Sequence, residues 1–337
     1  MPYTPSRIVG PAISIYQYIA FHSRMAVLIT CLLVLLISTV LFVAMGTWEA
    51  DLSALGIHSR TQLLGMLTLM TLMPTWLLGC FFVTQRHTMM LARQLEEQYG
   101  ANLGISAQVT RLPARQIILG ITGGFIYALA FNVPLRQLGE AFSGNMPFLS
   151  IFLGQFLVWC CIGFLLAIRL HTANLFYQLG KTIELSIFEQ SRLEPFARVG
   201  LLDVVIVVGS MVITSVQSMD AHFRLENYLT IFLVAVPAGA ALLIRPMWTL
   251  HRRLVVRKRQ LLLEINKQIV GAPEDTKKEN IDRLEILLQR RDRVRALATW
   301  PLDMATWVRL LLYVLLPPLA WVAAALVEVA ITGALGV

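Results

Sequence analysis

Charge is what this chain of 337 residues has least of: Asp, Glu, Lys and Arg together make up 14% of it. An ordinary soluble protein carries about 25%. The 48 charged residues are too few to cover the wet surface of a globule this size. Cysteine is scarce as well, with four residues, Cys31, Cys80, Cys160 and Cys161. They lack C-x-x-C spacing, so neither a disulfide scaffold nor a cysteine metal site is indicated, and small apolar packing is their expected role. There is no H-E-x-x-H, G-x-S-x-G, Walker A box or G-x-G-x-x-G. No catalytic constellation is visible, so the chain is not expected to be an enzyme, and no cofactor is implied.

What fills the place of charge is apolar sequence, 57% of the residues. It is gathered into long runs bounded by Arg, Asp or Glu. About 20 apolar residues span a bilayer core of about 30 Å. Seven such runs can be read, at 25–47, 62–84, 117–133, 146–168, 201–218, 228–244 and 310–330. The fold class expected is therefore all-α: a polytopic membrane protein with seven transmembrane helices. The first run, at 23 residues, is longer than a signal peptide's apolar region and reads as a retained span. No span contains lysine, which excludes a retinal Schiff base.

Basic residues sort sharply by side. The N-terminal arm and the second, fourth and sixth connections hold 25 Lys and Arg. The alternate connections hold 3: Arg60, Arg136 and Arg224. Cytoplasmic loops carry the excess of positive charge. The N-terminus is therefore expected inside and the C-terminus outside, opposite to the seven-helix receptors. The net charge of +8 then records topology and implies no nucleic-acid partner.

The even-numbered runs end in similar sequence: Arg86-His87-Thr88, Arg169-Leu170-His171-Thr172 and Leu250-His251-Arg252-Arg253. This spacing suggests three helical hairpins in one orientation, followed by a seventh helix. Any inner boundary attracts Arg and His, which is the competing explanation. His87, His171 and His251 would ring the inner face if the repeat holds, making them weak candidates for a transition metal.

The domain organisation expected is a membrane domain over 1–244, a cytoplasmic helical hairpin over 245–306 and the seventh helix over 307–337. In the hairpin, Leu250, Leu254, Leu261, Ile265 and Ile269 fall on one helix face. Gly271-Ala272-Pro273 breaks it. Thr276 with Glu279 forms a capping box for the second helix, whose apolar face continues through Ile281, Leu284 and Leu288. The two helices are expected to pack on each other, and a second subunit is an alternative partner. Arg252, Arg253, Arg257, Lys258 and Arg259 lie near the bilayer and are candidates for binding anionic lipid.

Only two charges fall inside spans. Asp203 begins a polar stripe in the fifth run with Ser210, Thr214 and Gln217. A carboxylate in the membrane is costly and usually faces a water cavity or a partner. The stripe could line a solute path. Alternatively, Asp203 reaches the inner interface beside Arg198, and the hydroxyls pack helices together. Glu328 lies toward the outer end of the seventh run. Thr68, Thr71 and Thr75 surround Pro74 on a second polar face. Pro74, Pro237 and Pro317-Pro318 should kink their helices. Gly120 and Gly124 form a small-xxx-small contact that reads as close packing.

The C-terminal segment contains Trp300-Pro301-Leu302-Asp303, Thr306, Arg309, Leu312-Tyr313, Pro317, Trp321 and Ala325-Leu326-Val327-Glu328. With Trp248-Thr249-Leu250-His251 and the basic helix after it, this resembles a group of uncharacterised bacterial integral membrane proteins. The resemblance covers about the last 90 residues and implies a bacterial inner membrane, with no assigned activity. Trp300 and Trp307 would anchor the seventh helix at the headgroups. Two functions remain open from the sequence. One is a homo-oligomeric channel or transporter with its path along the fifth span. The other is a non-catalytic sensor or scaffold acting through the hairpin.

Overall fold

A computed structural model describes residues 23–52, 59–100, 104–111, 114–132, 145–188, 190–214, 225–271 and 278–300, with isolated positions elsewhere. Among these residues the chain is all-helical. The helices are α1 (Arg24–Ala44), α2 (Arg60–Tyr99), α3 (Ile105–Thr110), α4 (Ala114–Tyr127), α5 (Met146–Thr182), α6 (Glu194–Thr214), α7 (Leu225–Val270) and α8 (Lys278–Ala296). Six of the eight are long and apolar enough to cross a membrane: α1, α2, α4, α5, α6 and α7. They coincide with the first six apolar runs. The seventh run, with Glu328 and Pro317-Pro318, lies outside the described residues, apart from isolated positions such as Leu312 and Leu319.

Side chains close three of the helix starts. Ser23 Oγ accepts from Ala26 N (3.2 Å), Ser59 Oγ from Gln62 N (3.1 Å) and Asn145 Oδ1 from Phe148 N (3.3 Å). Each satisfies one amide that the first helical turn leaves without a partner. Short and long spanning helices alternate three times: α1 with α2, α4 with α5, α6 with α7. The long members have 40, 37 and 46 residues. At 1.5 Å per residue they are about 60, 55 and 70 Å long, roughly twice the bilayer core. Each runs unbroken through its histidine into the basic end. Pro74 in α2 and Pro237 and Pro246 in α7 do not interrupt the helices. The expected boundary at 244/245 thus falls inside one continuous helix, and the sixth run and the hairpin's first arm are a single element.

Two main cores hold the bundle. At the basic end, Leu95, Phe176, Phe196, Met247 and Leu250 meet beneath α3 and the 183–193 connection, whose Ile183, Ile187 and Leu193 are buried too. Toward the opposite end, Leu63, Met70, Met73, Phe81, Ile168 and Ile206 join α2, α5 and α6. A hydroxyl pair, Thr47 with Ser150, ties the turn after α1 to the first turn of α5. The crossing of α4 on α5 is set by glycine. A Cβ at Gly120 or Gly124 would overlap the carbonyl of Gly163 or Trp159, so these positions admit only hydrogen. This is the close packing that the small-xxx-small spacing indicated.

The hairpin's two arms pack on each other, with Ile265 of the first and Val294 of the second buried. The first arm's stripe is as expected, with Leu250, Leu254 and Ile265 buried and Ile269 half-buried. On the second arm Leu284 and Leu288 are half-buried as expected, and Ile281 is not. Ile281 is 54% exposed, and the sealed position is Val294, nearer the bundle. Burial thus occurs both toward the tip, at Ile265, and toward the base, at Val294. Thr276 of the expected capping box lies outside the described residues.

Candidate functional site

Asp203 is fully buried, and its partner is Arg169, itself 1% exposed. Arg169 Nε donates to Asp203 Oδ1 at 2.5 Å, and Arg169 Nη1 donates to Thr88 Oγ1 at 3.1 Å. Three helices are thereby joined by one guanidinium: α5 supplies Arg169, α6 supplies Asp203 and α2 supplies Thr88. This corrects two expectations. Arg169 does not sit as an interfacial residue in a connection, because α5 continues 13 residues beyond it. Asp203 is not beside Arg198, which instead pairs with Glu194 one turn away at 2.7 Å, both about half exposed.

Local structure explains the placement. Glu194 and Pro195 open α6, and the acidic first turn complements the positive end of the helix dipole. Nine residues on, Asp203 lies about 13 Å along the axis, beyond the exposed Glu194 and Arg198. Its helix face carries Pro195, Val199, Ile206 and Ser210, all buried. A carboxylate fixed on that face must find an internal donor.

The pair is incompletely satisfied. Arg169 Nη2 and Asp203 Oδ2 are both buried and have no protein partner among the described residues. Both residues line a small cavity of about 70 Å³ between α5, α6 and α7. Ser210 lines it as well, two helical turns from Asp203, while Leu77, Leu165, Val234 and Leu242 make its walls apolar. The volume corresponds to about two water molecules at liquid density. Arg169, Asp203 and Ser210 thus border a niche whose walls are otherwise apolar.

The other sequence candidates distribute as follows. Thr214 is buried, and its hydroxyl donates to the Ser210 carbonyl at 2.8 Å. Gln217 lies outside the described residues. Thr71 and Thr75 donate back to their own helix, at the carbonyls of Thr68 (3.0 Å) and Thr71 (2.8 Å). Thr68, Thr71 and Thr75 are not among the residues around the Arg169–Asp203 cavity. Of the stripe's described residues, Asp203 and Ser210 border the cavity, together with Arg169.

His87, His171 and His251 do not converge. Among the described residues no three His, Cys, Asp or Glu side chains are close enough to hold a metal. His251 stacks on Trp300 with ring centroids 4.2 Å apart, and its Nδ1 meets the Thr299 carbonyl at 3.2 Å. Trp300 is accordingly packed against the helix rather than standing alone as a headgroup anchor. The cysteines are all free and half-buried.

The basic cluster divides in two. Arg253 Nη1 donates to the carbonyls of Gly180 (2.7 Å) and Ile183 (2.8 Å), closing the end of α5. Lys258 Nζ donates to the carbonyls of Arg295 and Leu297, both at 2.7 Å, and so closes the end of α8. Cations at helix C-termini satisfy the last carbonyls and the negative end of the dipole. Arg252, Arg257 and Arg259 are exposed.

Sequence reasoning missed Arg169 as a site residue. Its signal was present: the neighbouring Leu170 and His171 continue a helical pattern, and Thr88 and Thr172 place hydroxyls at the same level of the bundle. In comparison with known proteins, no family model, no curated protein and no solved structure matches the chain.

Proposed function

We propose that this chain is a transporter or channel of a bacterial inner membrane, with the Arg169–Asp203 pair as its gate. The observation that carries the reading is a buried ion pair whose two members each keep an unpartnered polar atom and both border one cavity. Ionisable side chains at membrane depth mark solute or proton pathways more often than they mark packing. A pair costs less to bury than either charge alone, so it can wait closed and still be opened. An anionic solute would compete for Arg169. A proton or cation would compete for Asp203. Either exchange frees the link between α5 and α6 and so couples occupancy to helix movement. The sorting of basic residues supports seven spans with the N-terminus inside, and the short–long alternation supports three hairpin repeats. Large apolar side chains along α1, among them Leu32, Leu36 and Ile37, are about 60% exposed, a face suited to lipid or to a second copy in a homo-oligomer.

Reconstitution of the full chain into liposomes tests the gate. Flux should appear for at least one class of ion or small solute, and Asp203→Asn and Arg169→Gln should both change it while the protein remains folded. Absence of flux across a broad panel of ions, organic anions and amines overturns the reading.

A second reading, a scaffold working through the α7–α8 hairpin, has its own observation. Val256, Leu263 and Val270 recur every seven residues and are 56%, 56% and 86% exposed. A partner helix could cover such a stripe. Deleting residues 271–299 should then remove bound partners while leaving membrane insertion intact; an unchanged set of partners refutes it.

A further inference from the structure

We infer that the groove between α4 and α5 is a binding site for an anionic phospholipid of the leaflet at the basic end. The groove has a volume of about 500 Å³, within the usual range of about 300–1,000 Å³ for small-molecule sites. Its two ends differ in chemistry. Tyr127 and Trp159 lie at the end deep in the bilayer, with ring centroids 4.4 Å apart. Gln116, His171 and Asn174 lie at the basic end. From Trp159 to Asn174 is 15 residues of one helix, about 22 Å. Half of a bilayer, headgroups included, is about 20–22 Å. The groove is therefore as deep as one leaflet and runs from apolar to polar in the direction a lipid does.

The chemistry of the rim selects charge. Arg245 is exposed, and its Nε donates to Asn174 Oδ1 at 2.8 Å, which fixes the guanidinium beside the polar end. Lys181 Nζ lies 4.6 Å and the Arg245 guanidinium 5.9 Å from the centroid of the same Tyr177 ring. Two cations thus flank one ring about one turn beyond Asn174, and Arg245 reaches back to the groove's polar end, where its guanidinium is suited to phosphate geometry. Among the described residues no acidic side chain lines the groove. The floor suits an acyl chain. Gly123 lines it, and a Cβ added there would meet none of the described residues within 4 Å, unlike at Gly120 and Gly124, which are closed by α5. The α4–α5 contact therefore uses two glycines for packing and leaves the third facing open space. This site is separate from the Arg252–Arg259 cluster and rests only on the chain spanning a membrane, so it stands whether or not the protein transports.

The groove's tryptophan provides the test. The full chain is reconstituted in phosphatidylcholine vesicles containing a small fraction of lipid with brominated acyl chains, carried on either phosphatidylglycerol or phosphatidylcholine. The Trp159 signal is taken as the difference between the natural chain and Trp159→Phe. Brominated phosphatidylglycerol should quench it more than brominated phosphatidylcholine at equal fraction. Gly123→Leu, which directs a side chain into the groove from a position where a Cβ meets none of the described residues, should abolish that excess. Arg245→Gln should weaken it by about tenfold, the loss of a charged hydrogen bond. Equal quenching by the two lipids overturns the inference, as does quenching unchanged by Gly123→Leu. A change of oligomeric state in Gly123→Leu also overturns it, because the groove would then hold a second copy of the chain.

Discussion

Removing one member of the Arg169–Asp203 pair should destabilise the bundle far more than removing both. In Asp203→Leu the guanidinium keeps only Thr88 as a partner and stays buried, at 1% exposure in the natural chain. Breaking a buried pair from one side costs about 3–5 kcal/mol. Arg169→Met should cost a similar amount, because Arg169 supplies the hydrogen bond that the Asp203 carboxylate accepts. The double variant leaves no charge buried, and replacing a buried pair with apolar side chains of similar size is neutral or stabilising by about 1–4 kcal/mol. The coupling between the sites should therefore be several kcal/mol, well outside the few tenths at which independent sites add. Thr88→Val removes one hydrogen bond to a charged group and should cost about 1.5–3 kcal/mol, but only while Arg169 is present. Reversible unfolding of the purified protein in mixed micelles measures all of these. Salt provides a control: Arg198→Gln breaks a pair that is about half exposed, and should shift stability by under about 1 kcal/mol, with the effect fading as salt is raised. If Asp203→Leu and Arg169→Met are each mild, or if their effects simply add, the pair is not a buried interaction and the gate loses its basis.

Three further outcomes follow from the packing. Gly124→Leu should prevent α4 from seating on α5, seen as proteolysis within α4 and loss of folded protein, while Gly123→Leu should leave yield and unfolding unchanged. Arg253→Ala should destabilise the end of α5 by about 1–3 kcal/mol through the loss of two bonds to backbone carbonyls, with faster amide exchange just after Gly180, whereas Arg252→Ala should have no effect on either measurement. Val294→Asp should loosen the α7–α8 hairpin and increase binding of a hydrophobic dye, because Val294 is fully buried there.

What the sequence made legible follows from how each signal is encoded. Six apolar helices could be read because membrane crossing depends on length and hydropathy, which are properties of a run and need no knowledge of neighbours. The first arm's stripe from Leu250 to Ile265 was legible for the same reason: its period is local. The glycine contact at Gly120 and Gly124 could be read as spacing, but nothing in the sequence told Gly123 apart from them, since facing α5 or facing the groove is decided by rotation of the helix. Ile281 looked like a continuation of the hairpin's face, but at the tip the arms no longer close on it. The five cations at 252–259 looked equivalent in sequence. The structure gives Arg253 and Lys258 to helix ends because Gly180, Ile183, Arg295 and Leu297, remote in sequence, present carbonyls to them.

Arg169 is the sharper case, because the rule that read the topology also concealed the site. Counting basic residues at span ends treats every boundary arginine as exposed to the headgroups. That holds where a helix ends at the boundary. It fails where the helix continues, because a continuing helix keeps half its circumference against its neighbours, and a residue on that half stays buried however near the interface it lies. α5 runs on for 13 residues past Arg169, so Arg169 faces α2 and α6. The expected orientation does not depend on it, since 24 basic residues against 3 is the same imbalance. The pairing of Asp203 does depend on it, because a carboxylate with no visible cation inside the membrane was matched to Arg198, a near neighbour in sequence. In a membrane bundle, therefore, a lone acidic residue in one span is reason to ask whether a boundary arginine of another span lies on a helix that continues. Here that question leads from Asp203 on α6 to Arg169 on α5, and from the pair to Thr88 on α2.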